Sequence, residues 1–151
     1  MSKPARQTSE VKKLELLSAF DPAADRALQN GLIKQCLEDR HVRVVAKAAA
    51  LAGEHSLREQ IPALLNAYGG FLQDPVKRDP NCMAKQAIAR ALVGLECEDT
   101  AFFLQGIRYR QLEPVWGGSA DTAIDTVRAH APGAVAPFNR RVSHRGSGTN
   151  L

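Results

Sequence analysis

The sequence predicts an all-α fold: a right-handed helical-hairpin solenoid of about seven helices, closed by a flexible tail. Three observations predict it. Alanine-rich apolar runs recur at residues 45–53 and 87–94, and a third helical run starts near Asp121. A basic residue lies in or near the start of each run, and Arg43, Lys85 and Arg128 are spaced by 42 and then 43 positions. Hydrophobic residues make up 44% of the chain but aromatics only 5%, so Ala, Leu, Val and Ile must do the packing. Small aliphatic side chains suit closely approaching helices better than a β-sandwich. A period of roughly 40 residues, with two helices per unit, is the mark of a stacked helical array.

The first helix is expected from Ser9, with Val11, Leu14, Leu17 and Ala19-Phe20 at helical spacing. Asp21 reads as the N-cap of the second, with Pro22 at its first position and Leu28, Leu32, Ile33, Cys36 and Leu37 on one face. The polar break at residues 38–41 leads into a third helix over 42–52, with Gly53 as its C′ residue. Ser56 and Glu59 read as a capping box for the fourth, whose buried stripe is Leu57, Ile61, Leu64, Leu65, Tyr68, Phe71 and Leu72. Pro62 fits if that helix effectively starts near Glu59. Residues 74–80 form a loop ending in Asp79, the cap of a fifth helix with core residues Met83, Ala87, Ile88, Ala91, Leu92 and Leu95. Glu98-Asp99 opens a sixth helix through Phe102, Phe103, Leu104 and Ile107. Residues 114–119 read as a loop, and Ser119 or Asp121 caps a seventh helix through Ile124, Val127 and Ala131. The expected organisation is a helical domain over 9–131 and a flexible basic tail over 132–151, where apolar periodicity stops.

The formal charge is +4 and the sequence pI about 9.2, which suggests a nucleic-acid binder. The charge map argues against one. All 16 acidic residues lie at or before Asp125, as do all but four of the 20 Lys+Arg; the four are Arg128, Arg140, Arg141 and Arg145. The body is therefore neutral and only the tail is basic, unlike the basic face of a nucleic-acid-binding domain. No run approaches the ~20 apolar residues of a membrane span, and the start of the chain lacks an apolar signal segment. Cys36, Cys82 and Cys97 are far apart and odd in number, which reads as reduced thiols of a cytoplasmic protein.

The repeat with small inward residues and a Val-Arg or Ala-Lys pair early in each unit resembles the HEAT-repeat family over residues 9–107. The stretch Asp79-Pro80-Asn81-Cys82, Ala84-Lys85, Ala87-Ile88-Ala89, Glu113-Pro114-Val115-Trp116-Gly117-Gly118 and Asp121-Thr122-Ala123 is similar to bacterial HEAT-repeat proteins without a settled function. In those proteins the repeats continue further. The departure here points to a fragment, or to a reading frame altered after about Val127.

No motif supplies catalysis, a cofactor site or a metal site: there is no HExxH, CxxC, nucleophile elbow, P-loop or GxGxxG. The expected function is a non-catalytic protein–protein scaffold; the alternative is a HEAT-like enzyme acting on nucleic acid, or a lyase-associated module. The candidate interaction residues are Trp116, Glu113, Tyr109, Arg110, Ile124 and Val127. Trp116 is read as filling the gap between units rather than as an exposed anchor. Arg108, Tyr109, Arg110 and Gln111 are read as a solvated helix end rather than a phosphate or base site. Arg43 and Lys85 are read as equivalent positions pairing with nearby acids, Asp39 and Glu38 being candidates. Cys82, near a helix start, is read as a structural thiol rather than a reactive one. Ile124 and Val127 have no partner helix after them, so the C-terminal end is expected to self-associate or to dock on another protein.

Overall fold

A computed structural model describes the backbone of residues 3–123 and the side chains of residues 9–123. The described residues are mostly helical, 66% of them, with one small antiparallel sheet among them. The helices are α1 Lys3–Ser18, α2 Arg26–Leu37, α3 Val42–Glu54, α4 Ile61–Gly70, the one-turn α5 Pro75–Arg78, α6 Met83–Gly94 and α7 Thr100–Arg108. Strands β1 Leu112–Val115 and β2 Gly118–Asp121 follow. Helix α3 packs on α6, its dominant neighbour, while α2 packs on α3 and on α4, and α4 on α6. Helices α2, α3, α6 and α4 thus form a closed ring of contacts. Helix α1 covers α3 from the other side.

The seam between α3 and α6 explains the alanine richness. Val44, Val45, Ala48, Ala49 and Ala52 are buried on α3; Ala84, Lys85, Ile88, Ala89 and Leu92 are buried on α6. The two sets match one for one in the order given, with identical spacing along each helix. Both helices then end alike. Leu57 N–H donates to the Ala52 carbonyl at 2.9 Å, and Cys97 N–H to that of Leu92 at 2.9 Å. Ser56 and Glu96 hold the left-handed corner in each, with φ 53° and 55°. These are Schellman-type ends, one per unit.

Several expectations shift for physical reasons. Helix α1 starts at Lys3, well ahead of Ser9. Asp25, not Asp21, caps α2, because its Oδ1 accepts from Ala27 and Leu28 N–H while Asp21 serves only a local turn to Ala23. Leu28 is 73% exposed and Met83 is also exposed; neither belongs to the core. Gly53 is not the C′ residue but lies inside α3, where a Cβ would meet the Ala91 Cα at 3.2 Å. Glu59 forms no capping box with Ser56: its Oε1 is taken by Arg26 and Asn30 of α2. Pro62 falls in the first turn of α4, where it is harmless. A helix opens at Glu98-Asp99 as expected, with Asp99 capping α7 by accepting from Phe102 N–H at 2.9 Å.

The loop expected at residues 114–119 is instead a β-hairpin, and Ser119 and Asp121 are strand residues rather than helix caps. The remainder of the expected seventh helix, with Ile124 and Val127, lies outside the described residues, as does the tail over 132–151.

Candidate functional site

The hairpin is held against the start of α6 by a cluster of buried polar groups. The chain enters α6 through a tight corner. Asn81 and Cys82 are both left-handed, with φ 57° and 53°. That corner removes the usual cap, and Asp79 replaces it from a distance. Its carboxylate accepts from Ala84 N–H at 2.7 Å and Lys85 N–H at 3.0 Å. It also receives Lys85 Nζ at 2.8 Å, and neither side chain is exposed at all. Lys85 donates further to the Phe71 carbonyl at 3.2 Å and lies 5.5 Å from the Tyr109 ring centroid. Burial of an ammonium is tolerated here because an anion, a carbonyl and an aromatic face surround it.

The second half comes from the hairpin. Gln111 Nε2 donates to the Asp79 carbonyl at 2.8 Å and to Glu113 Oε1 at 2.6 Å. Glu113 Oε1 also accepts from Asn81 N–H at 2.7 Å and Thr122 Oγ1 at 2.8 Å. Burial acts to raise the Glu113 carboxyl pKa, but the hydrogen bonds from Thr122, Gln111 and Asn81 outweigh it and hold the group below its ordinary range. Tyr109 Oη donates to Gln111 Oε1 at 2.8 Å, and Asp121 Oδ1 accepts from Gln111 N–H at 3.0 Å. Burial, then the neighbouring Cys82 and Asp79, push the Tyr109 phenol up to about 12. Burial likewise raises the Cys82 thiol, so it stays protonated and unreactive at neutral pH.

Asp79 accepts at both oxygens, Glu113 takes three donors on Oε1, the lysine is paired and the thiol is protonated. What this arrangement does chemically is fix backbone. It ties the strained corner at Asn81-Cys82 to both strands of the hairpin, and so orients the hairpin tip. Gly117, at φ 88°, supplies the left-handed residue the two-residue turn demands. Trp116 precedes it at the tip and is fully exposed. Leu112 and Val115 are also exposed along β1.

Of the sequence-derived candidates, Tyr109 and Glu113 meet in the buried cluster. Trp116 does not fill a gap between units: it stands in the hairpin turn and is exposed. Arg110 is exposed and outside the cluster. Lys85 does pair with an acid, but that acid is Asp79; Asp39 instead binds Lys13 and His41, and Arg43 is exposed. In the matched helix faces Lys85 corresponds to Val45, not Arg43. Asp79, Gln111 and Thr122 were not legible as site residues, because they share no motif spacing. The available signal was Trp-Gly-Gly between two four-residue segments, which reads as a tight turn. Among the described residues no group of His, Cys, Asp and Glu is arranged to hold a metal ion, and no helix is long and apolar enough to cross a membrane. Comparison with protein-family models, curated proteins and solved structures finds no match among any of the three.

Proposed function

We propose that this chain is a non-catalytic, HEAT-like solenoid scaffold of the cytoplasm that binds a partner protein through its hairpin-bearing end. The observation that carries the reading is Trp116. An indole with no cover from the described residues sits on a two-residue turn whose base is tied down by the Asp79, Lys85, Gln111 and Glu113 cluster. Leaving a large aromatic in water forgoes the stabilisation of burying it, roughly 1.5–3 kcal/mol for a large apolar side chain. Rigid exposed aromatics are the residues that most often anchor protein interfaces, because little side-chain entropy is lost when they dock. The recurrence of the buried set of α3 in α6 supports the repeat architecture.

The test compares partners captured by the wild-type chain and by Trp116→Ala, using cross-linking in the native cell followed by mass spectrometry. Trp116→Ala should lose a defined partner while keeping its helical circular dichroism. An identical set of cross-linked proteins would overturn the reading.

A further inference from the structure

The hairpin register decides which main-chain groups are available. Leu112 pairs with Asp121, Glu113 with Ala120, Pro114 with Ser119 and Val115 with Gly118. The two-residue turn makes Val115 and Gly118 a hydrogen-bonded pair, and such pairs alternate along an antiparallel ladder. Glu113–Ala120 is therefore the next bonded pair. Gln111–Thr122 follows, and Thr122 N–H does donate to the Gln111 carbonyl at 2.8 Å. Pro114 and Ser119 then point their main-chain groups outward on opposite edges.

The two edges differ. On β1 the outward position is Pro114, which has no N–H and blocks strand addition there. On β2 the outward positions are Ser119 and Asp121, and the Ser119 N–H and carbonyl point away from β1. Gly118, Ser119 and Ala120 are small and exposed, so another backbone can approach closely. β2 carries no lysine, proline or bulge, and its one charged residue, Asp121, lies at the end away from the turn with its Oδ1 taken by Gln111 and Ala123 N–H. Trp116 at the adjoining turn offers an apolar surface to the residue that would lie beside the tip.

Charge selects the occupant. Across residues 100–121 the carboxylates are Glu113, which is buried and engaged, and Asp121 at the base of β2, which is half-buried with its Oδ1 taken by Gln111 and Ala123 N–H, whereas Arg108 and Arg110 are exposed just before β1. The exposed charge on this segment is positive. A second copy docking hairpin to hairpin by two-fold symmetry would bring like charges together. A nucleic-acid strand would want a row of stacking rings, and this segment exposes one. Resting on the scaffold reading above, we propose that the β2 edge beside Trp116 takes an extended acidic peptide segment of a partner protein as a third strand.

Trp116 is the chain's single tryptophan, so its emission reports docking directly. The full chain would be titrated with an acetylated eight-residue peptide alternating Glu and Val. A saturable change in emission is expected, weakening as salt is raised. Ser119→Pro should weaken binding about tenfold, the scale of one or two lost main-chain hydrogen bonds. Arg108→Glu with Arg110→Glu should weaken it by a similar factor. Peptides N-methylated at alternate amides keep the protein unaltered: one methylation phase should abolish binding and the other should leave it intact. Equal effects of both phases, an equal response to a Lys-Val peptide, or a stronger response to oligo-dT would overturn strand addition. If no peptide binds while Trp116→Ala still loses its cross-linked partner, strand addition falls and the scaffold reading stands. If both experiments are negative, both fall.

Discussion

Lys85 Nζ and Asp79 Oδ2 lie 2.8 Å apart with both side chains wholly inside the protein. Between them the chain rounds a corner that no regular helix start would contain. The pair does two jobs: the carboxylate replaces the missing cap of α6, and the ammonium neutralises it. Lys85→Met should destabilise the fold by about 3–5 kcal/mol, because it leaves Asp79 buried without a countercharge. Asp79→Asn in the same chain should recover part of that loss, and chemical denaturation of the two singles and the double measures the coupling.

Asp39 ties α1 to the start of α3 through Lys13 and His41. Burial opposes its ionisation, yet the hydrogen bonds from Lys13 and His41 and the Lys13 charge bring its pKa down from 3.8 to about 2. The native carboxyl is more acidic than the unfolded one. Its contribution is therefore present above about pH 4 and lost as pH falls through about 2. The shift corresponds to about 2 kcal/mol. Asp39→Asn should lower neutral-pH stability by about that amount and flatten the stability profile between pH 4 and pH 2. Denaturation midpoints across that window check both effects.

At Gly53 the two central helices approach closely: a Cβ on that residue would lie only 3.2 Å from the backbone of Ala91. Backbone cannot swing aside as a lysine tip can. Gly53→Val should push α3 from α6 and cost about 1–3 kcal/mol by overpacking. Gly31, with nothing within 4 Å, is the control: Gly31→Ala should stabilise α2 by roughly 0.5–1 kcal/mol. Opposite shifts of the thermal midpoint are the expected result.

Leu92 is wholly buried, whereas Leu51 is only partly so. Each leucine stands two positions before a glycine, Gly53 or Gly94, which suggests that the two are equivalent. The helix ends instead match Leu92 with Ala52, one position further along. Leu92→Ala should cost about 2–5 kcal/mol and Leu51→Ala clearly less. Denaturant midpoints of the two variants decide the register.

The helices were legible because their signal is local: alanine-rich apolar spacing at 45–52 and 84–92, and an aspartate at position 99 just before Thr100. The hairpin was not. Leu112-Glu113-Pro114-Val115 contains a proline and a buried glutamate, and Gly118-Ser119-Ala120 carries no apolar alternation, so nothing there has the period of a half-buried strand. The polar cluster was hidden for another reason. Asp79 and Lys85 at the entry to α6 lie far in sequence from Gln111, Glu113 and Thr122 at the hairpin, and burial of a lysine goes against the composition rule that places it in water. Trp116 was misplaced because an alanine-rich core invites a large filler between the third and fourth units, yet the residue falls in the turn of the hairpin and is exposed.

The two Schellman-type corners leave room for engineering. Ser56 and Glu96 adopt a handedness that costs an L-residue roughly 1–2 kcal/mol, both are exposed, and their side chains take no part in core or hairpin. Their neighbours Gly53 and Gly94 spend glycine's freedom inside helices, three and two positions too early. Ser56→Gly and Glu96→Gly would put that freedom where the backbone turns left, so the thermal midpoint should rise with each and add when they are combined. The fold thus has two such positions, one at the end of each central helix, from which its robustness can be tuned while its surface at Trp116 is left as it is.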